Sequence, residues 1–154
     1  MGLPPNFRWF DQWVAGAAKP LPDELDDLAT QEHIFGLVRL ETLEGSKVTP
    51  EQVAAAGMVD LHEPIDNRFV PTLEQAERVL AFIHGMVASE RKVLVTCGVG
   101  AGRTGTIVAC YFVDKGLDGE AAIRLVGCLQ EPAQERFVRQ YAELRRARSA
   151  ADGG

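Results

Sequence analysis

Val93-Leu94-Val95-Thr96-Cys97-Gly98-Val99-Gly100-Ala101-Gly102-Arg103-Thr104-Gly105 is the stretch on which the fold turns. It opens as a short apolar run of the kind a buried strand needs. It closes by entering a helix that the pattern carries from Thr104 to about Lys115, with Gly116 as its stop. Residues 97–105 between them hold four glycines in nine positions. Glycines let successive backbone N–H groups turn inward as a cradle for an anion, and the helix start adds its positive dipole end. The cradle residues are Gly98, Val99, Gly100, Ala101 and Gly102. A thiol at the loop's first position feels the same donors, which favour thiolate over thiol and make Cys97 a nucleophile. Arg103 can fold a planar guanidinium over the loop and hold two phosphate oxygens, a geometry lysine lacks. The Thr104 hydroxyl borders the same point and can donate to the departing thiolate.

Two other glycine-rich motifs fit less well. A nucleotide-binding loop needs a Lys-Ser or Lys-Thr pair after its last glycine, where this chain has Arg103-Thr104. The dinucleotide fingerprint also needs an acidic residue at a strand end about twenty positions on, and none stands there.

Outward from the loop, strand-like runs at residues 9–14, 34–40, 58–61 and 93–97 alternate with helical signals. Thr49-Pro50-Glu51-Gln52 and Thr72-Leu73-Glu74-Gln75 each form a capping box, the second before a helix reaching about Ala88. A further helix starts near Asp118, and the last runs from about Pro132 to Arg146. Alternating strands and helices give an α/β fold with a mainly parallel sheet of about four to five strands flanked by helices. The ligand site of such a sheet lies at the carboxyl ends of its strands, which is where the glycine loop falls.

The 154 residues fit one domain, assigned here to residues 1–148, with residues 149–154 as a fraying tail. With 46% hydrophobic and 25% charged residues the composition is that of a globular protein. A net charge of −6 disfavours nucleic acid or anionic lipid as the main partner. Arg145, Arg146 and Arg148 suit the last turns of a helix, where the dipole favours cations. No apolar run is long enough for a membrane helix and no secretory pattern opens the chain, so a cytoplasmic monomer is expected. Cys97, Cys110 and Cys128 are odd in number and lack paired spacing, which suggests neither disulfides nor zinc. Cys110 and Cys128 read as small core residues on helical faces. His33, His62 and His84 have no ligand spacing.

Cys97-x5-Arg103-Thr104, with the preceding strand, Gly100, Gly102 and the following helix, resembles the signature of the cysteine-dependent tyrosine and dual-specificity phosphatases. Pro4-Pro5-Asn6-Phe7-Arg8-Trp9 and Leu21-Pro22 are similar to the opening of the small atypical dual-specificity members, which consist of a catalytic domain only. The resemblance implies the protein tyrosine phosphatase-like fold and a cysteinyl-phosphate intermediate. It also implies a general acid some thirty residues before the cysteine. Asp66, 31 residues before Cys97, is the candidate, with Asp60 and Glu63 as rivals and Arg68 as a possible aid to substrate binding. Gln134 matches a glutamine that borders the family's site and helps position water. Thr96 departs from the pattern, which has histidine there, and removes a cation that supports the thiolate.

The catalytic set expected is Cys97, Arg103 and Asp66, with Thr104, Gln134 and Thr96 in support and no metal or organic cofactor. A phosphorylated protein or peptide, with phosphotyrosine first, is the expected substrate and partner. The five loop residues carry no lysine of the kind that inositol phosphate phosphatases of this type use. A pseudophosphatase that binds phosphate without turnover, a small-molecule phosphatase and an RNA-end phosphatase are the alternatives.

Overall fold

The computed structural model describes residues 2–66 and 70–153. Its five strands are β1 (Arg8–Trp9), β2 (Val14–Ala18), β3 (Ile34–Arg39), β4 (Val59–His62) and β5 (Lys92–Cys97). They form one sheet in the order β1-β2-β5-β3-β4. Only β1 runs antiparallel; β2, β5, β3 and β4 are parallel. β5 therefore lies at the centre, buried on both faces, which is why its sequence is apolar rather than alternating.

Helices α1 (Leu25–Thr30) and α2 (Pro50–Ala55) cover one face of the sheet. There Ala15, Ala17, Leu37 and Leu94 pack with Leu25, Leu28 and Val53. The other face carries α3 (Leu73–Ala88), α4 (Gly102–Asp114), α5 (Gly119–Val126) and α6 (Pro132–Gly153). Val14, Val38, Val93 and Val95 meet Val79, Ile83, Ile107 and Val138 in that larger core. α4 is buried from Gly102 to Val113, as expected of a helix packed between a sheet and other helices. The starts read from the sequence hold. Thr49 and Thr72 accept from Gln52 N at 3.2 Å and Gln75 N at 3.1 Å, and both glutamines return the bond. Asp118 caps α5 through Ala121 N at 2.8 Å.

Three expectations need correction. Of the strand expected over residues 9–14, Trp9 ends β1, Val14 begins β2 and residues 10–13 form the turn between them, with Asp11 Oδ1 accepting from Trp13 N and Val14 N at 2.8 Å each. The strand itself is Val14–Ala18, an Ala/Gly segment without the branched residues that advertise strands. Packing requires its smallness, since a Cβ on Gly16 would stand 2.8 Å from both Phe10 Cε2 and Thr104 Cγ2. The expected tail at 149–154 is helical through Gly153. Ala147, Ala150 and Ala151 favour helix, and Arg148 pairs with Glu77 of α3 at 2.8 Å. Finally, α4 begins at Gly102, two residues before the expected start, so Arg103 belongs to its first turn. Among the described residues no helix is long and apolar enough to cross a membrane.

Candidate active site

The carboxyl ends of β2, β3 and β5 meet at one level. Lys19 N donates to Cys97 O at 2.7 Å, and Leu40 N donates to Thr96 O at 2.8 Å. The loop leaving β5 is pressed onto the backbone of β2. Gly100 has φ +79°, and a Cβ there would lie 2.3 Å from Ala17 C. Only glycine meets both demands. At the other end the loop passes straight into α4, whose first N–H groups and dipole point at the same hollow.

Arg103, only 8% exposed, folds back over this loop. A Cβ on Gly98 would stand 2.9 Å from Arg103 Nη2. Nη1 is held from behind, donating to Ile65 O at 2.8 Å and more weakly to Leu40 O at 3.4 Å. Among the described residues Nε and Nη2 carry no hydrogen bond, so one edge of the guanidinium is free for a bidentate ligand. Cys97, 1% exposed, lies at the floor of a cavity of about 300 Å³ lined also by Lys19, Glu41, Thr42, Gly98 and Arg103. A larger open groove of about 430 Å³ between α5 and α6 holds Arg124 and Arg139 but no nucleophile. Arg139 there is already paired with Glu120 and Glu135.

The supporting residues sit differently from expectation. Thr96 is fully buried and makes no bond to the thiol, donating to Glu41 Oε1 at 2.8 Å with Val38 O at 3.4 Å. Glu41 is itself 1% exposed, and its Oε2 is buried without a partner. A histidine at position 96 would thus meet this carboxylate before it met Cys97. The Thr104 hydroxyl donates to Val95 O at 3.4 Å and makes no bond to Cys97, because its methyl is wedged against Gly16. Gln134 is buried behind the loop, with Oε1 accepting from Gln130 N at 2.9 Å and Glu131 N at 3.1 Å. It braces the loop and is absent from the cavity wall, where Gln130 stands instead.

Asp66 is exposed and does not line the cavity, but its neighbour Ile65 is the residue whose carbonyl holds Arg103. The rival acids are committed elsewhere. Glu63 receives both Arg78 nitrogens at 2.9 and 3.0 Å, which with a bond from Gln75 holds its carboxyl below the usual range. Asp60 is forked by the buried Arg39 at 2.7 and 2.8 Å. Arg68 lies outside the described residues. Cys110 is buried in α4, where desolvation and then Asp114 push its thiol well up. Cys128 falls in the segment after α5 rather than on a helical face; burial raises its thiol too. Lys19, Glu41, Thr42, Gly45 and Gln130 are the wall residues that sequence reasoning missed. The rule that ligands sit past strand ends points to Lys19 and Glu41 once β2 and β3 are placed correctly.

The family described as polymorphic toxin system, DSP-PTPase phosphatase, matches residues 13–117. The chain is 33% identical over 89 residues to an uncharacterised protein of Methanocaldococcus jannaschii, covering 55% of this chain and 60% of that one. It is 30% identical over 135 residues to the phosphatidylglycerophosphate phosphatase PTPMT1 of Arabidopsis thaliana, covering 80% of this chain and 38% of that protein. The chain thus spans about three fifths, or less, of the length of these relatives. Among solved structures, PTPMT1 in complex with PI(5)P superposes with a TM-score of 0.87 at 22% identity, over 93% of this chain and 98% of that one. A mutant form of Tk-PTP gives 0.86 at 25% identity, over 92% and 97%.

Proposed function

Because this chain belongs to the DSP-PTPase phosphatases of polymorphic toxin systems, we propose that it hydrolyses phosphate monoesters through a cysteinyl-phosphate, acting first on phosphotyrosine in a protein or peptide. Phosphoserine and phosphothreonine come second. The observation that carries this reading is the shared cavity, which the buried Cys97, the loop residues Gly98 and Val99 and the Arg103 guanidinium line together. A nucleophile at such depth suits a phosphate carried on a long, flat side chain.

In this reading Cys97 Sγ attacks phosphorus in line with the ester oxygen, forming the S–P bond as the P–O bond breaks. Arg103 Nε and Nη2 and the loop N–H groups hold the equatorial oxygens. Asp66 gives its proton to the leaving oxygen. Its position supports the role, since the Ile65–Arg103 bond ties the acid's segment to the phosphate clamp. Water then attacks phosphorus, passes a proton to Asp66, and releases phosphate and the thiolate.

A phospholipid monoester is the second reading, favoured by the names of the PTPMT1 relatives. The deciding experiment measures p-nitrophenyl phosphate hydrolysis by the natural chain and by Cys97→Ser, then turnover of phosphotyrosyl peptides against phosphomonoester lipids in vesicles. Loss of turnover in Cys97→Ser, with vanadate binding retained, is the expected result. Full activity in that variant ends the covalent mechanism, and binding without turnover in the natural chain favours a phosphate-reading module. Preference for vesicles replaces the peptide reading with the lipid one.

A further inference from the structure

The cavity wall holds a cation that the scissile phosphate does not require. Lys19 follows β2 directly, anchored by its N–H to Cys97 O, and its side chain lines the Cys97 cavity. Its Nζ reaches across to the turn after β3, lying 3.7 Å from where a Cβ on Gly45 would stand. The side chain is half-buried, yet among the described residues its ammonium has no carboxylate and no hydrogen-bond acceptor. The other described cations differ. Lys92, also half-buried, lies over the Trp9 ring, Arg91 lies over the Phe35 ring, and Lys47 and Arg136, which lack partners, are exposed, where water serves them. A partly desolvated charge without a partner is costly, and an anion arriving with a ligand offsets that cost.

Arg103 and the loop already supply donors for the scissile phosphate, so the anion for Lys19 is a second group on the substrate. Glu41 sets its place. The buried carboxylate repels an anion from the Thr96 side of the wall, leaving the Gly45 side, where Nζ lies. The wall there is Thr42 and Gly45, with no apolar track for an acyl chain. Val99 is the one exposed apolar side chain on the cavity wall and Leu43 stands next to Thr42 in sequence, and two such residues do not make a track for an acyl chain. We propose that Lys19 is a specificity-determining residue that pairs with the carboxylate of an acidic residue next to the phosphorylated one in a peptide substrate. This rests on the phosphopeptide reading above.

The test compares kcat/KM for three phosphotyrosyl peptides that carry Glu, Gln or Lys at one flanking position, in the natural chain, Lys19→Met and Lys19→Glu. The natural chain should favour the Glu peptide over the Lys peptide by about fivefold, mostly through KM, as a partly screened ion pair of about 1 kcal/mol implies. Lys19→Met should level the three peptides, and Lys19→Glu should reverse their order. A reversed order cannot come from misfolding. Unchanged ratios in the two variants overturn the proposal, as does a uniform loss on all three peptides, which would put Lys19 on the scissile phosphate itself. So does a charge effect confined to phosphomonoester lipids in vesicles. Hydrolysis of aryl phosphate but of no phosphopeptide overturns the substrate reading along with it, whereas hydrolysis of all three peptides without a charge preference overturns this inference alone.

Discussion

Thr96 illustrates how one side chain is tied to another across the sheet. Among the described residues its hydroxyl is the single donor to the Glu41 carboxylate, whose other oxygen is buried without a partner. Thr96→Val keeps the shape and removes that donor, so it should lower stability by about 1.5–3 kcal/mol, the range for hydrogen bonds to charged groups. A urea midpoint that falls with unchanged slope would agree; an unmoved midpoint would mean the contact is not formed. Arg103 makes the complementary case at the mouth of the site. Arg103→Lys keeps the charge but loses the fork that spans Ile65 O and the ligand. Its kcat on aryl phosphate should drop at least about a hundredfold, given roughly 2.7–4 kcal/mol for a transition-state donor. A near-normal kcat would mean that the guanidinium does not face the phosphate.

At the scale of elements, β2 and the thiol loop depend on each other's smallness. Gly100→Ala would drive a methyl to 2.3 Å from the Ala17 backbone, at a positive φ that alanine resists. We expect a loss of about 2–5 kcal/mol, from overpacking of roughly 1–3 and a left-handed backbone cost of roughly 1–2. Thermal unfolding checks it, and a loss under about 1 kcal/mol would show that the loop can lift away from β2. The same pairing explains what the sequence made legible. β5, the loop, α3 and α5 carry local signals: an apolar run, clustered glycines, and Thr or Asp caps. β2 carries none, because its Ala-Gly pattern answers to Phe10 across the β1–β2 turn and to Thr104 from a distant part of the chain. With β2 misplaced, Lys19 could not be seen as a strand-end residue. Cys97 and Arg103 were legible because their spacing is local; the Glu41 partner of Thr96 and the packing of Thr104 on Gly16 are set by tertiary contacts that no spacing encodes.

Over the whole molecule, surface ion pairs give the fold its acid response. Arg78 holds Glu63 below the usual carboxylate range, and Arg139 does the same for Glu120. A folded-state value below the unfolded one adds stability that is complete above the unfolded value and lost as pH falls through the folded one. Stability should therefore be level near neutrality and decline below about pH 4.5, and Arg78→Ala should make that decline shallower. Denaturation series between about pH 7 and pH 3 test this; equal slopes in both proteins would assign the acid response to other groups. The central place of β5 has a different consequence, in time rather than in energy. Its N–H groups are bonded into ladders with both β2 and β3, so no fraying edge reaches the strand that carries the nucleophile. Amide protons along Val93–Val95 should exchange with solvent only through complete opening of the molecule, while those of the edge strand β1 exchange through local breathing. The reactive cysteine would then be among the last parts of the chain to let go, and heat should abolish phosphate binding and the folded core in one step.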